Sequence, residues 1–263
     1  MRLFWSFARQ AFQFISAYRF NFFMELVLAI LRMYGIYWVW RVLYTQRPGA
    51  FGVTQEQMVT YGVMGMALEL FIWSRPQWYM AHQVKSGAID TDLMKPLDFH
   101  FYMLARSVGE TIMGISILAI PALLVAYLFL DVQLPPDLPT ALLFVVSLFL
   151  GFLLLFHLNF ILGSLAIVAL DIRHISWAYF SLIRFMGGQI VPLWLFPPVL
   201  AAIAAVLPFQ GTYFIPISIY IGSLTGADAV RALEFQFVWV VALILIGRFL
   251  WSWAYGRLVV QGG

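Results

Sequence analysis

Residues 140–170 read TALLFVVSLFLGFLLLFHLNFILGSLAIVAL, without a single Asp, Glu, Lys or Arg. As a helix rising 1.5 Å per residue this stretch is about 45 Å long. That exceeds the ~30 Å hydrocarbon core of a bilayer, so the helix should tilt or project, and it is too short for two crossings.

The rest of the chain agrees. Of 263 residues, 63% are hydrophobic and 10% charged, against about 45–50% and about 25% in soluble domains. The excess apolar surface must face lipid, which excludes a soluble enzyme. The formal charge of +3 gives no case for nucleic acid, and the lack of cysteine rules out disulfides and thiolate metal sites. The first twenty residues carry Arg2, Arg9 and Arg19 and no small-residue cleavage site, so they do not read as a removable signal peptide. Arg2, Ser6, Arg9, Gln13 and Ser16 recur at helical spacing. Residues 1–20 are therefore expected to form an amphipathic helix in the membrane surface.

Working outward from 140–170 gives five further spans, at 22–44, 57–80, 103–130, 175–207 and 235–258. The fold expected is an all-α integral membrane protein of six transmembrane helices, a single permease-like domain over 1–263. Arg47-Pro48-Gly49 turns between the first two spans, and Gln133-Leu134-Pro135-Pro136-Asp137 closes the third. The fifth span is broken by Gly187-Gly188, Pro192 and Pro197-Pro198, since proline removes a donor and clashes with the preceding turn. Residues 208–226 are apolar but punctuated by proline and glycine, and read as a re-entrant or surface hairpin. Under six crossings, Arg2, Arg9, Arg19, Arg75, Lys85, Lys95, Arg106, Arg173, Arg248 and Arg257 share the side of the termini, against Arg41, Arg47 and Arg231. That asymmetry makes both termini cytoplasmic and the hairpin extracellular.

The largest cytoplasmic loop, 82–100, contains Lys85-Ser86-Gly87-Ala88-Ile89-Asp90-Thr91-Asp92-Leu93-Met94-Lys95-Pro96-Leu97. Asp90 reads as an N-cap with Asp92 in the first turn, and Pro96 ends the helix. Ile89, Leu93 and Leu97, spaced by four, form one apolar face. So short a helix needs a surface to dock on, although on the residues alone a capped turn joining two spans is the simpler reading.

This loop resembles the first cytoplasmic loop of the ABC transporter type 2 permeases, the export-type membrane subunits. Gly187-Gly188-Gln189-Ile190-Val191-Pro192-Leu193, Phe196-Pro197, Leu207-Pro208-Phe209, Tyr213, Pro216 and Gly222 resemble the same family's broken fifth span and extracellular hairpin. With the N-terminal helix the resemblance covers essentially the whole chain. It implies a permease of an ATP-driven exporter in a bacterial cytoplasmic membrane, paired with a second permease subunit, identical or related. It also implies that Gly87, Ala88, Ile89, Asp90, Asp92, Leu93, Lys95 and Pro96 form a coupling helix seated in a separate ATPase. Asp171, Arg173 and His174 would make a second contact, and Gly187, Gly188, Pro192 and Pro197 would line or gate the substrate path. No G-x-x-x-x-G-K-[ST] loop is present, so ATP and Mg belong to the partner ATPase. The chain itself is expected to be non-catalytic, with no cofactor or metal of its own.

Ionisable residues at membrane depth are costly. Arg32 and Glu69 are expected to pair between the first two spans, with Glu25 and Glu110 nearer the interface. His157 and Asn159 read as interhelical hydrogen-bonding groups. The Trp and Tyr residues near span ends form an aromatic belt. An ion- or proton-driven transporter would have only Arg32 with Glu69 as a midplane charge pair. A membrane-embedded lipid- or glycosyl-transfer enzyme would need convergent acids or histidines; Asp90 and Asp92 alone offer little.

Overall fold

A computed structural model describes residues 2–47, 51–71, 75–168 and 173–257, with side chains from Phe20 onward, Arg173 excepted. The described chain is 81% helix without strands. The helices are α1 (Arg2–Gln46), α2 (Gln55–Phe71), α3 (Pro76–Ser86), α4 (Ile89–Leu93), α5 (Phe99–Gly114), α6 (Ile120–Phe129), α7 (Leu138–Leu165), α8 (Arg173–Met186), α9 (Pro198–Val206), α10 (Phe214–Tyr220) and α11 (Gly226–Tyr255). Among the described residues, four helical stretches are long and apolar enough to cross a membrane: Phe20–Gln46, Phe99–Phe129, Leu138–Leu165 and Gly226–Tyr255.

Several expected boundaries are corrected. The surface helix over 1–20 is not separate, because α1 runs unbroken from Arg2 to Gln46; no Gly or Pro interrupts residues 16–24. The second span does not run through from 57 to 80. α2 ends at Phe71 and α3 begins at Pro76, where a fixed φ and a missing N–H suit the first helical turn. The third span is one stretch, but it contains a π turn, Ile115–Ala119, that ends two residues before Pro121. Widening the turn relieves the clash of the proline ring with the carbonyl four residues back. The long apolar run helical from Leu138 ends at Leu165 rather than near 170. Pro48 and Gly49 lie outside the described residues.

The chain forms two compact units, the first comprising α1, α2 and Glu110–Gln133. Within it α1 buries Phe22, Ala29, Met33, Tyr37, Trp40 and Tyr44, a stripe at helical spacing, while Phe23, Leu31, Trp38 and Val42 stay exposed. A Cβ on Gly62 would lie 2.6 Å from Cδ1 of Trp40, so the indole seats only against a glycine. Thr54 and Gln57 form a reciprocal capping box at the start of α2 (3.0 and 3.2 Å).

The second unit comprises α3, α4, the first part of α5, and the chain from α7 onward. α7 and α11 pack along each other, and α10 with the 3-10 turn Pro208–Gly211 packs against them. Of the two alternatives for 208–226, re-entrant or surface hairpin, burial of Ile215, Pro216, Ile217, Ser218 and Ile219 speaks against the surface one. Close approach explains Gly211. A Cβ on Gly211 would run into Cδ1 of Leu154, and one on Gly151 would sit 3.0 Å from the carbonyl oxygen of Gly211. The last helix begins at Gly226, nine residues before the expected start.

The expected break after α8 is present. Gly188 adopts φ 73°, a left-handed geometry that glycine takes without strain. A Cβ on Gly187 would meet the carbonyl oxygens of Ile183 and, at 2.9 Å, Phe209. The Gly187 carbonyl accepts from the Phe214 N–H at 2.9 Å, so an otherwise exposed backbone group is satisfied inside the protein, as lipid demands. α8 has 14 residues and α9 has nine, so neither alone spans a bilayer.

Candidate functional site

The connector between α3 and α5 concentrates polar side chains in the second unit. α3 stops at Gly87, whose φ of 71° makes the left-handed C-cap and whose N–H reaches the Val84 carbonyl at 3.2 Å. α4 follows almost at once. Its N-cap is therefore Ala88, without a side-chain cap, and not Asp90 as expected; Asp90 lies in the first turn, where its charge suits the helix dipole. The effective cap in the loop is Asp98, whose Oδ1 accepts from the Phe101 N–H at 2.9 Å to start α5.

Asp92 is the centre of the site. Its side chain is 5% exposed, and four donors converge on it. Tyr79 Oη donates to Oδ2 at 2.7 Å and Gln83 Nε2 to the same oxygen at 2.9 Å. Lys95 Nζ donates to Oδ1 at 2.7 Å, and Tyr102 Oη at 3.4 Å. Lys95 Nζ also donates to Tyr102 Oη at 2.9 Å and lies 4.0 Å from the centre of that ring. The Arg106 guanidinium covers the Tyr79 ring at 3.9 Å. Burial pushes the Asp92 carboxyl up, but the hydrogen bonds from Lys95, Tyr79 and Gln83 outweigh it and hold the group below the usual carboxylate range. The same bonds to Asp92 and Tyr102 raise the Lys95 ammonium above its ordinary value. Both groups are held charged.

The outward face differs from expectation. Ile89 is 2% exposed, and Leu93 packs on the cluster of Met80, Phe99, Met103, Phe156 and Phe160, so the expected outward ridge of Ile89, Leu93 and Leu97 does not exist. α4 ends at Leu93, and the chain turns tightly at Pro96, with the Leu97 N–H on the Lys95 carbonyl at 2.7 Å. Leu97 therefore leaves the helical register. Exposed apolar side chains come instead from Met94, at 76%, and Leu97, at 58%, beside exposed Lys85, Ser86, Gly87, Thr91 and Pro96. Ala88 and Asp90 are half-buried.

The other candidates are dispersed. In the first unit Arg32 Nη1 lies 3.8 Å from Glu69 and Nη2 lies 3.9 Å from Glu25, long separations for ion pairs. His174 is exposed on α8; Asp171 and the side chain of Arg173 lie outside the described residues. Gly187, Gly188 and Pro192 are buried and Pro197 is exposed. His157 Nδ1 donates to the Leu153 carbonyl of its own helix at 2.6 Å, an intrahelical bond where an interhelical one was expected.

Two polar groupings escaped the sequence reading. Gln236, fully buried, donates to the carbonyls of Ser147 (3.0 Å) and Gly211 (2.8 Å) and accepts from Ser147 Oγ (2.9 Å). A lone glutamine in an apolar helix was the available signal. In the first unit Asp131, at φ 51°, accepts from Tyr37 Oη at 3.4 Å and lies 3.8 Å from Arg41, which donates to the same tyrosine oxygen.

Long apolar helices with a polar, tightly bonded connector define a multi-pass helical membrane protein. The family model described as ABC-2 family transporter protein matches residues 30–262. The chain belongs to that family and is a membrane permease component of ABC-type transport. Comparison with curated proteins and with solved structures gives no match.

Proposed function

We propose that the chain is the permease subunit of an ATP-binding cassette exporter, working with a second permease subunit and driven by a separate ATPase that holds ATP and Mg. The observation that carries this reading is the connector: a short, internally bonded helix with Met94, Leu97 and Lys85 turned outward, in a chain of the ABC-2 family. Two exposed apolar side chains ringed by polar ones suit a shallow cleft on a soluble protein. Gly87, Ala88, Ile89, Asp90, Asp92, Leu93, Lys95 and Pro96 build the element, and Met94 and Leu97 make the contact. Asp171, Arg173 and His174 make a second contact. Six crossings follow if α2 with α3, and α8 with α9, each count as one interrupted span. The excess of basic residues on one side then puts both termini and the connector in the cytoplasm of a bacterial cell.

The break around Gly187, Gly188, Pro192 and Pro197 lines or gates the substrate path, so Pro192→Ala alters transport while assembly is retained. Purification in mild detergent tests the whole reading. An ABC-class ATPase, identified by its phosphate-binding loop, should co-purify with the chain and be lost from a Met94→Asp, Leu97→Asp double variant. Absence of such an ATPase from the wild-type preparation would overturn the proposal.

A further inference from the structure

We infer that Asp92 is a positioning residue that joins the connector rigidly to the helices on either side of it, so that a push on its outer face moves them together. The inference rests on the reading of the connector as the ATPase contact and adds the part that carries the movement.

A five-residue helix has no stability of its own in water. Burial of Ile89 and Leu93 would suffice to hold it down, but apolar contact is non-directional and lets one element slide over another. The carboxylate adds direction. Tyr79 and Gln83 reach it from α3, Lys95 from the end of the connector and Tyr102 from α5. Charge-assisted hydrogen bonds are short and geometrically demanding. Displacing α4 relative to either flanking helix breaks at least one of them in a site with little water to replace it.

The donors are themselves held. Arg106 lies over Tyr79, and Lys95 over Tyr102. The far end of the connector is pinned by Asp98, which caps α5 and lies 3.5 Å from Arg248 of α11. Beneath it, Phe99 stacks on Trp251 of α11 with ring centres 4.2 Å apart. Force applied at Met94 and Leu97 therefore reaches α3 and α5 through Asp92, and α11 through Asp98 and Phe99. A cap that merely closed a loop would need neither the second tyrosine nor donors from both helices.

The chain lacks cysteine, so one introduced at Leu134, an exposed residue of the loop that follows α6 in sequence, carries a nitroxide uniquely. The complex with its ATPase is reconstituted in nanodiscs, and the spectral change at this label is recorded on trapping with Mg-ATP and vanadate. The wild-type chain should show a clear change. Asp92→Asn, and Gln83→Glu, which sets a second carboxylate against the first, should each reduce it at least fivefold with the bound ATPase undiminished. Thr45→Ala, at an exposed residue of α1 outside the connector, should leave it intact. An undiminished change in Asp92→Asn and Gln83→Glu overturns the inference. So does loss of the ATPase from these variants, since Asp92 would then only shape the docking face. Failure of the wild-type chain to hold an ATPase is a separate result and removes the underlying reading as well.

Discussion

Asp92 and Arg32 are both charged residues in an apolar protein, and distance separates their roles. The Asp92 bonds from Tyr79, Gln83 and Lys95 are 2.7–2.9 Å long, whereas Arg32 stands 3.8 and 3.9 Å from its two carboxylates and is 44% exposed. Exposure in a membrane span is to lipid and not to water, so even this loose pair offsets the cost of its charges. Glu69→Gln should lower the melting temperature in detergent, and an unchanged melting temperature would deny the pair a structural role. Asp92 and Lys95 carry a pH signature. A carboxyl held below its ordinary range stabilises above that range and stops doing so as pH falls through the lowered value. An ammonium held above its ordinary value stabilises below that value and stops as pH rises through the raised one. A nitroxide at Thr91 should therefore be immobile across neutral pH and loosen at both extremes, below the usual carboxylate range and above the usual lysine range. Mobility independent of pH would deny the pair its role. Asp92 was legible as an acidic residue in a first turn, but its convergence of donors was not. Tyr79 and Tyr102 lie 13 and 10 residues away, and only the fold brings them to one carboxylate.

Among elements, close backbone approach decides which glycines matter. A Cβ on Gly187 would press on two backbone carbonyl oxygens, whereas one on Gly35 of α1 would meet nothing within 4 Å. Gly187→Ala should destabilise by about 1–3 kcal/mol, as overpacking does. Gly35→Ala should be neutral or stabilise by up to about 1 kcal/mol through helix propensity. Thermal unfolding of both variants in one detergent checks the contrast, and equal melting temperatures would contradict it. Gln236 fixes the segment between α9 and α11 by bonding both to Ser147 and to the Gly211 carbonyl. Gln236→Leu leaves those groups unpaired, at about 1–3 kcal/mol, and should speed hydrogen exchange around Pro208–Gly211 without affecting ATPase retention. The sequence announced the breaks at Gly187, Pro192 and Pro197 because those residue types act locally. It left residues 208–226 open between a re-entrant and a surface hairpin, since an apolar, glycine-rich segment reads alike on a surface and in a core. The expected spans pass through Pro76 and Pro121 for a related reason: each sits in a run apolar enough to hide it, one starting a new helix and the other following a π turn.

At the level of the whole molecule, composition and the run at 140–170 were enough to read a helical membrane protein, because the excess of apolar residues has nowhere to go but lipid. The order of motifs gave the family, to which residues 30–262 conform. The outward face of the connector was not legible, since it depends on where α4 stops: one residue past Leu93 the register changes, and Met94 takes the position that periodicity gives to Leu97. The central claim is that this face meets a nucleotide-hydrolysing partner. With no native cysteine in the chain, a single cysteine at Met94 can carry a benzophenone maleimide and be irradiated in native membranes. The account predicts one cross-linked adduct, to an ABC-class ATPase, that Leu97→Asp diminishes. Adducts to lipid alone, or labelling of this position from outside intact cells, would contradict it.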